Sequence, residues 1–284
     1  MAVRVVTDST CDLPREFQDR HGVVVVPLRL HFQNETFRDR VDLTDAEFVH
    51  RLEAGKTPPS TSQPPPGEFE RVYRDLLQGG ADEIVSVHIA AVLSGTVSSA
   101  TIAAQEVAPG RIHVVDSRTV SMATGFMVQE AVARAERGES AAEIVAELVT
   151  MPPRLGIIAL LDTLRFLLLG GRIGKVRALL GTALSIKPLI GLGPDGSVLP
   201  LGRVRSRSAG LARLSELLAE HRPLDRCGVV YVGDPMDGER LRSATERTYP
   251  GMEILAAHAS PVLSTHTGPG TAAYCYLESR SKAD

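Results

Sequence analysis

Hydroxyl side chains gather at four places in the first half of this chain where a strand or loop is predicted to end. They are Asp8-Ser9-Thr10, Thr61-Ser62-Gln63-Pro64, Ser94-Gly95-Thr96 and Asp116-Ser117. Each hydroxyl donates one hydrogen bond and accepts others, so a cluster of them suits the polar end of a small ligand. Ligands of parallel α/β sheets sit beyond the carboxyl ends of strands, where helix N-termini also offer unpaired N–H groups to anions. Ser94-Gly95-Thr96 stands at such a junction, between a strand predicted over Glu83–Ile89 and a helix starting near Val97. It reads also as a plain helix cap, with Ser94 or Thr96 satisfying the first free N–H groups. Thr61-Ser62-Gln63-Pro64 is either a ligand loop or an ordinary polar connector. Four such ends in one half point to a common polar rim.

Other strings carry less. Gly191-Leu192-Gly193-Pro194-Asp195-Gly196 has the spacing of the dinucleotide fingerprint GxGxxG, but that fingerprint must open a helix. Here Pro194-Asp195-Gly196 is a turn signal followed by strand-like residues, so a β-turn is expected. No GxxxxGK[ST] loop occurs, and ATP has no recognisable cradle. The eight histidines form no HExxH, and His258 and His266 lack metal-ligand spacing, so no metal is expected. Asp8 and Asp12 read as a strand-end carboxylate and a helix cap rather than a shared cation site. Gly170-Gly171-Arg172-Ile173-Gly174-Lys175 follows an apolar helix. One of its glycines would cap that helix in left-handed geometry, and the same bend would present Arg172 and Lys175 to an anion or a partner. Arg203, Arg205 and Arg207 alternate at a strand end and share a face, either a solvated basic edge or a surface for an acidic partner.

The elements that must position these residues alternate between branched apolar runs and helical patterns, the signature of βα units. Val3–Thr7 reads as the first strand. Asp12 followed by Pro14 reads as a helix start, and Val23–Val26 with Leu28–Phe32 as a second strand around Pro27. Thr44-Asp45-Ala46-Glu47 is a capping box opening a helix to about Glu53. Lys56 to Gly67 holds five prolines and reads as an irregular loop. A helix to Gln78, the Glu83–Ile89 strand, a helix over Val97–Val107 and a strand over Ile112–Val115 follow. Two helices, the second boxed by Ser140 and Glu143, close this half. Met151-Pro152-Pro153 breaks the pattern, so two domains are expected, residues 1–152 carrying the hydroxyl loops and 153–284 completing the pocket. The second half restarts with a strand over Leu155–Leu160 and helices over Thr163–Leu169 and Val176–Leu184. Strands over Ser185–Gly191 and Val198–Val204, and a helix from Ser208 to His221, come next. Strand Cys227–Gly233, helix Gly238–Arg247, strand Glu253–Ala257 and a last strand near Val262–Thr265 complete it. The expected fold is α/β, each domain built on a mainly parallel sheet flanked by helices.

Composition narrows the function. Of 284 residues, 43% are hydrophobic and 23% charged, ordinary for a globular protein. A net charge of −3 gives no basic face for a nucleic-acid backbone. With seven Phe, five Tyr and no Trp, a pocket would be lined by Leu, Ile, Val, Met and Ala, which suits an aliphatic ligand. Cys11, Cys227 and Cys275 are too few and too scattered for a disulfide framework. The first residues lack the apolar core of a signal peptide, and the stretch from Leu155 to Leu169 is interrupted by Asp162 and Arg165. A cytoplasmic location is expected.

In their order along the chain, these motifs resemble those of the DegV family over nearly its whole length. The resemblance rests on Thr7-Asp8-Ser9-Thr10 with Asp12-Leu13, Thr61-Ser62-Gln63-Pro64, Leu93-Ser94-Gly95-Thr96 with Ser98-Ser99-Ala100, and Val115-Asp116-Ser117. It continues through Gly170-Gly171-Arg172-Ile173-Gly174, Lys187-Pro188 and Gly268-Pro269-Gly270. The tail after Gly270, Thr271-Ala272-Ala273-Tyr274, is poorer in glycine than that pattern. The resemblance implies a protein that binds a long-chain fatty acid and presents it to an ATP-binding fatty acid kinase partner, which phosphorylates the carboxylate, a place in phospholipid metabolism. It implies no cofactor and no catalysis by the chain itself. By motif position, Thr61 or Ser62 and Ser94, with the adjoining Gly95 and Thr96, would hold the carboxylate and His266 would lie close by. Arg172 and Arg205 would face the partner.

Elementary energetics agree with such a ligand. Burying a methylene is worth about 0.8 kcal/mol, so a chain of about sixteen carbons gains on the order of 10 kcal/mol gross. A carboxylate at the tunnel mouth needs donors, which hydroxyls, backbone N–H groups and a histidine supply. Two other classes compete. An esterase or acyltransferase would use Ser94 as nucleophile and His266 as base, although Leu93-Ser94-Gly95 lacks the GxSxG elbow. A sugar or phosphate sensor would use the same loops.

Overall fold

The branched run Val3-Arg4-Val5-Val6 forms a strand because such side chains pack well on a pleated surface, and its alternation sends Val5 and Val6 to opposite faces. A computed structural model describes residues 2–55, 58–179, 186–221 and 223–280. Its first half runs through β1 (Val3–Asp8), α1 (Arg15–His21), β2 (Val24–Val26), β3 (Arg29–Phe32), β4 (Glu35–Arg38), α2 (Asp45–Ala54) and β5 (Ser60–Ser62). It continues with α3 (Pro66–Gln78), β6 (Glu83–His88), α4 (Thr96–Val107), β7 (Ile112–Asp116), α5 (Ser121–Glu136) and α6 (Ala141–Leu148). The second half comprises β8 (Leu155–Leu160), α7 (Arg165–Leu169), β9 (Lys187–Leu192), β10 (Val198–Val204), α8 (Arg207–Glu220), β11 (Leu224–Tyr231), α9 (Pro235–Thr248), β12 (Ile254–His258), α10 (Pro261–Thr267) and β13 (Ala272–Glu278).

Three sheets organise these elements. A parallel sheet has the order β2-β1-β6-β7, a small antiparallel one the order β4-β3-β5, and a larger one the order β10-β9-β8-β13-β11-β12. The α/β class expected from the sequence therefore holds. Within it the second sheet is mixed rather than mainly parallel: only β11 and β12 pair in parallel, and its other pairings are antiparallel. The first half of helix α5, from Ser121 to Val128, is buried on every side and carries no charge. Met122, Phe126 and Val128 belong to one core with Val5 and Val85 of the parallel sheet and Val230 and Cys275 of the mixed sheet. Helices α3 and α4 cover the other face of the parallel sheet through Phe69, Tyr73 and Ala103. Helices α8 and α9 cover the far face of the mixed sheet.

Both capping boxes form as read, Thr44 with Glu47 and Ser140 with Glu143. The GxGxxG string closes as a turn, Gly193 N–H donating to Ser197 O and Gly196 N–H to Gly193 O. Other expectations fail. The run around Pro27 breaks into β2 and β3, which join different sheets, because proline cannot donate to a ladder. Short strands β4 and β5 appear where no strand was expected. Asp12 does not start α1: Pro14 occupies its N-cap, and Asp12 instead ends the short 3-10 turn Ser9–Cys11 and turns inward at φ 49°. Val262–Thr265 is not a strand but most of α10, started by the Ser260 side chain accepting from Leu263 N–H with Pro261 at its first position. The last strand is β13, in the tail past Gly270. The later part of the helix predicted over Val176–Leu184 and the start of the strand predicted from Ser185 lie outside the described residues.

Candidate functional site

The pleat of the mixed sheet makes a cavity. Ile158, Leu160, Tyr274 and Tyr276 point toward α8 and α9 and join Leu214, Leu218 and Leu241 in one cluster. Their neighbours Ile157, Ala159, Ala273 and Cys275 point to the opposite face and line the cavity. Register agrees, since Ile157 pairs with Cys275 and Ala159 with Ala273. One face thus carries tyrosines and the other small side chains, which leave space unfilled. With Ile190 and Leu192 of β9, Val198 of β10 and Val230 of β11, the floor spans five adjacent strands, four spacings or roughly 19 Å. Leu28, Ile89, Leu93 and Val262 roof it, and the volume open to the centres of water-sized molecules is about 130 Å³.

Polar side chains collect at one end. Ser94 and Arg172 line the cavity and also an outer depression bounded by Gly95, Gly171, Gly174 and Ser197, so this end is the mouth. Strand β5 brings Thr61 there: Leu30 pairs opposite it on β3, and its Oγ1 lies 2.8 Å from His266 Nε2. Ser62 borders the cavity as well, yet its Oγ is held 2.9 Å from His31 Nε2 on the other side of the strand. Ser94 Oγ pairs with Thr96 Oγ1 at 2.9 Å, and Thr96 itself is fully buried behind it. Gln63, which the sequence reading left without a role, also reaches the mouth and lies over Gly95.

His266, the last-turn residue of α10, is largely buried, and its Nδ1 has no hydrogen-bond partner. Burial first, and then the Arg172 guanidinium, push its pKa down to about 4, so the ring is neutral near pH 7. Arg172 donates from Nε to Leu93 O at 3.1 Å and from Nη1 to Gly170 O at 2.7 Å. The bend after α7 therefore turns this arginine into the cavity wall. Arg205 is exposed and lies outside the cavity lining. Ser94 and His266 are each bonded to another residue, so the Ser–His pair of a nucleophilic mechanism is not assembled.

The remaining hydroxyl loops do not join this rim. Asp8, Ser9, Thr10 and Ser117 are buried. Asp8 Oδ2 meets His88 Nδ1 at 3.0 Å, and His88 Nε2 continues through Ser86 Oγ to Tyr73 Oη. Asp116 Oδ1 accepts from Ala91 N–H and Arg118 N–H, fixing two loops. Among the described residues no group of three or more potential metal-ligating side chains comes together, and no helix is long and apolar enough to cross a membrane.

Behind the cavity lies a charged seam. Asp12 accepts from Ser260 N–H at 2.9 Å and Ser121 Oγ at 2.6 Å, with Arg40 Nη2 at 3.3 Å. Arg40 also donates to His258 O and lies 3.6 Å from Asp45. Asp39 accepts from Ser9 Oγ, which in turn accepts from Leu28 N–H. Burial pushes the carboxyls up, Asp12 to about 6 and Asp39 to about 7, against the pull of their hydrogen bonds and Arg40.

This fold and this site define a class of α/β proteins that enclose an aliphatic cavity with a hydroxyl-lined mouth. The DegV family model matches residues 2–279, and the chain belongs to the DegV family. A DegV domain-containing protein of Deinococcus radiodurans is 38% identical, over 95% of this chain and 96% of its own. A solved DegV family protein of Thermus thermophilus, described by its fatty acid binding, superposes with a TM-score of 0.89 at 38% identity, covering 98% of this chain and 100% of that one. The Bacillus subtilis DegV structure, a fatty acid binding protein, gives 0.88 at 29% identity, with 98% and 100% covered.

Proposed function

We propose that this chain binds a long-chain fatty acid across the floor of the mixed sheet, with the carboxylate at the mouth between Thr61 and Ser94. The observation that carries this reading is the pairing of a long cavity floored by small aliphatic side chains with a mouth that offers the hydroxyls of Thr61 and Ser94 and has its one cation, Arg172, engaged by the carbonyls of Leu93 and Gly170. His266 stands behind Thr61, and on the Ser94 side the start of α4 adds the Gly95 N–H, while the Thr96 N–H donates to Ser94 Oγ. The chain performs no chemistry of its own in this reading. It presents the carboxylate to an ATP-dependent kinase partner that makes the acyl phosphate, with Arg172 at the mouth and Arg205 on the outer surface as partner contacts. Neutral donors leave a carboxylate oxygen able to attack a phosphoryl group, which a bidentate arginine would restrain. The cavity then lies between two domains, residues 1–152 and 153–284, the first holding the polar loops and the second the acyl floor.

Organic extraction of the purified protein followed by mass spectrometry tests the ligand class. A stoichiometric fatty acid is expected, and its absence together with no uptake of added fatty acid would sink the proposal. Ser94→Ala should weaken fatty-acid affinity about tenfold, the worth of a hydrogen bond to a charged group.

A further inference from the structure

Gly170 has an ordinary helical backbone, φ −76° and ψ −6°. The left-handed cap of α7 falls on the next residue, Gly171, at φ +71°. Backbone conformation therefore does not demand glycine at 170, but space does: a Cβ there would overlap Nδ1 and Cε1 of His266. The backbone of Gly170 seals that nitrogen from solvent and leaves it without a partner. A buried N–H with no acceptor carries its full desolvation penalty. A bare lone pair against the Cα–H groups of glycine costs less, because C–H groups are weak donors. The neutral ring thus keeps its proton on Nε2, 2.8 Å from Thr61 Oγ1. Thr61 Oγ1 makes no second hydrogen bond among the described residues, so its own proton is free for an acceptor in the cavity.

We infer that Gly170 is a positioning residue for the headgroup: by closing on His266 Nδ1 it makes the histidine donate to Thr61 and turns the Thr61 hydroxyl proton toward the ligand. This rests on the fatty-acid reading and deepens it, because it selects headgroups that accept, such as a carboxylate, at the Thr61 position.

The test is a two-bond proton–nitrogen spectrum of delipidated protein labelled with nitrogen-15 histidine, beside titration with hexadecanoic acid. His266 should show a protonated Nε2 and a bare Nδ1; the opposite pattern overturns the inference, even where wild-type binding is tight. Gly170→Ala should weaken hexadecanoic acid binding about tenfold, the equivalent of about 1.4 kcal/mol. The same change in a Thr61→Val background should add nothing, a coupling that a merely structural glycine would not produce. Additive losses overturn the inference. If Gly170→Ala does not fold, the wild-type spectrum decides alone. A wild type that shows protonated Nε2 yet binds no hexadecanoic acid overturns the fatty-acid reading and, with it, the headgroup selection.

Discussion

Two polar clusters, one half-buried at the cavity mouth and one buried deeper in a seam, join the same two halves of the molecule and handle charge in opposite ways. At the cavity mouth, Thr61, His266 and Ser94 are neutral, and the one charged side chain on the wall, Arg172, is held by the carbonyls of Leu93 and Gly170. In the seam, Asp12, Asp39 and Asp45 surround a single Arg40, and Asp39 Oδ1 and Asp45 Oδ1 lack hydrogen-bond partners. A mouth with no carboxylate in its lining can gain an anion without first losing one. The charged seam is a fastener whose strength depends on one cation. The two are linked, since Asp12 holds the N–H of Ser260, which caps the helix that carries His266.

The largest effect should come from removing that cation. Arg40→Met leaves Asp12 and Asp39 buried without their counter-charge, at a cost of about 3–5 kcal/mol by the measure of broken buried ion pairs. Denaturant unfolding reads it directly. A loss below about 1 kcal/mol would mean the carboxyls are already neutral, and the contrast between mouth and seam would collapse.

Acid titration separates the clusters next, because their signs oppose. Asp12 and Asp39 sit above the ordinary carboxylate value of 3.8. The folded state therefore holds protons that the unfolded chain has released, and their contribution is full below about pH 4 and lost as pH rises through about 6 to 7. His266 is depressed from 6.5 to about 4, so the unfolded chain binds its proton first and stability falls as pH drops through that window. Asp39→Asn should remove stability loss between about pH 5 and 7, with a slope change of up to about 1.4 kcal/mol per pH unit. An unchanged slope would show that Asp39 is ionised throughout.

Much of this architecture was legible where the determinants are local. The capping boxes at Thr44 and Ser140 name their helices within four residues, and the Pro194-Asp195-Gly196 turn overrode a string that only spelled a nucleotide motif. What failed was set by distance in space. The direction of β13 beside β8 is a tertiary pairing that leaves no periodicity in the sequence, so the second sheet read as parallel. The branched residues Val262 and Thr265 suggested strand, but the Ser260 cap and Pro261 decided for helix. Asp12 looked like a cap because its true partners, Arg40, Ser121 and Ser260, come from three remote segments. Candidate site residues were named through the order of their motifs. Their grouping was not, for the hydroxyls of Ser9 and Ser117 share the same local pattern as Ser94 yet are buried elsewhere. Nothing near Gly170 signals that it packs on His266.

The smallest effect would sharpen the mouth itself. Thr61 and Ser62 are neighbours on β5, and the pleat sends successive side chains to opposite faces. Thr61 meets His266 at the cavity mouth, whereas Ser62 Oγ is engaged by His31, which also reaches Thr36 on β4. Ser62→Ala should therefore change fatty-acid affinity by less than about threefold, the scale of a surface substitution within 0.5 kcal/mol. Thr61→Val should cost about tenfold in the same titration. Equal losses would mean that the Ser62 hydroxyl leaves His31 when the ligand arrives. The mouth would then hold a pair of adjacent hydroxyls rather than one, and its difference from the rigid seam would be one of mobility as well as charge.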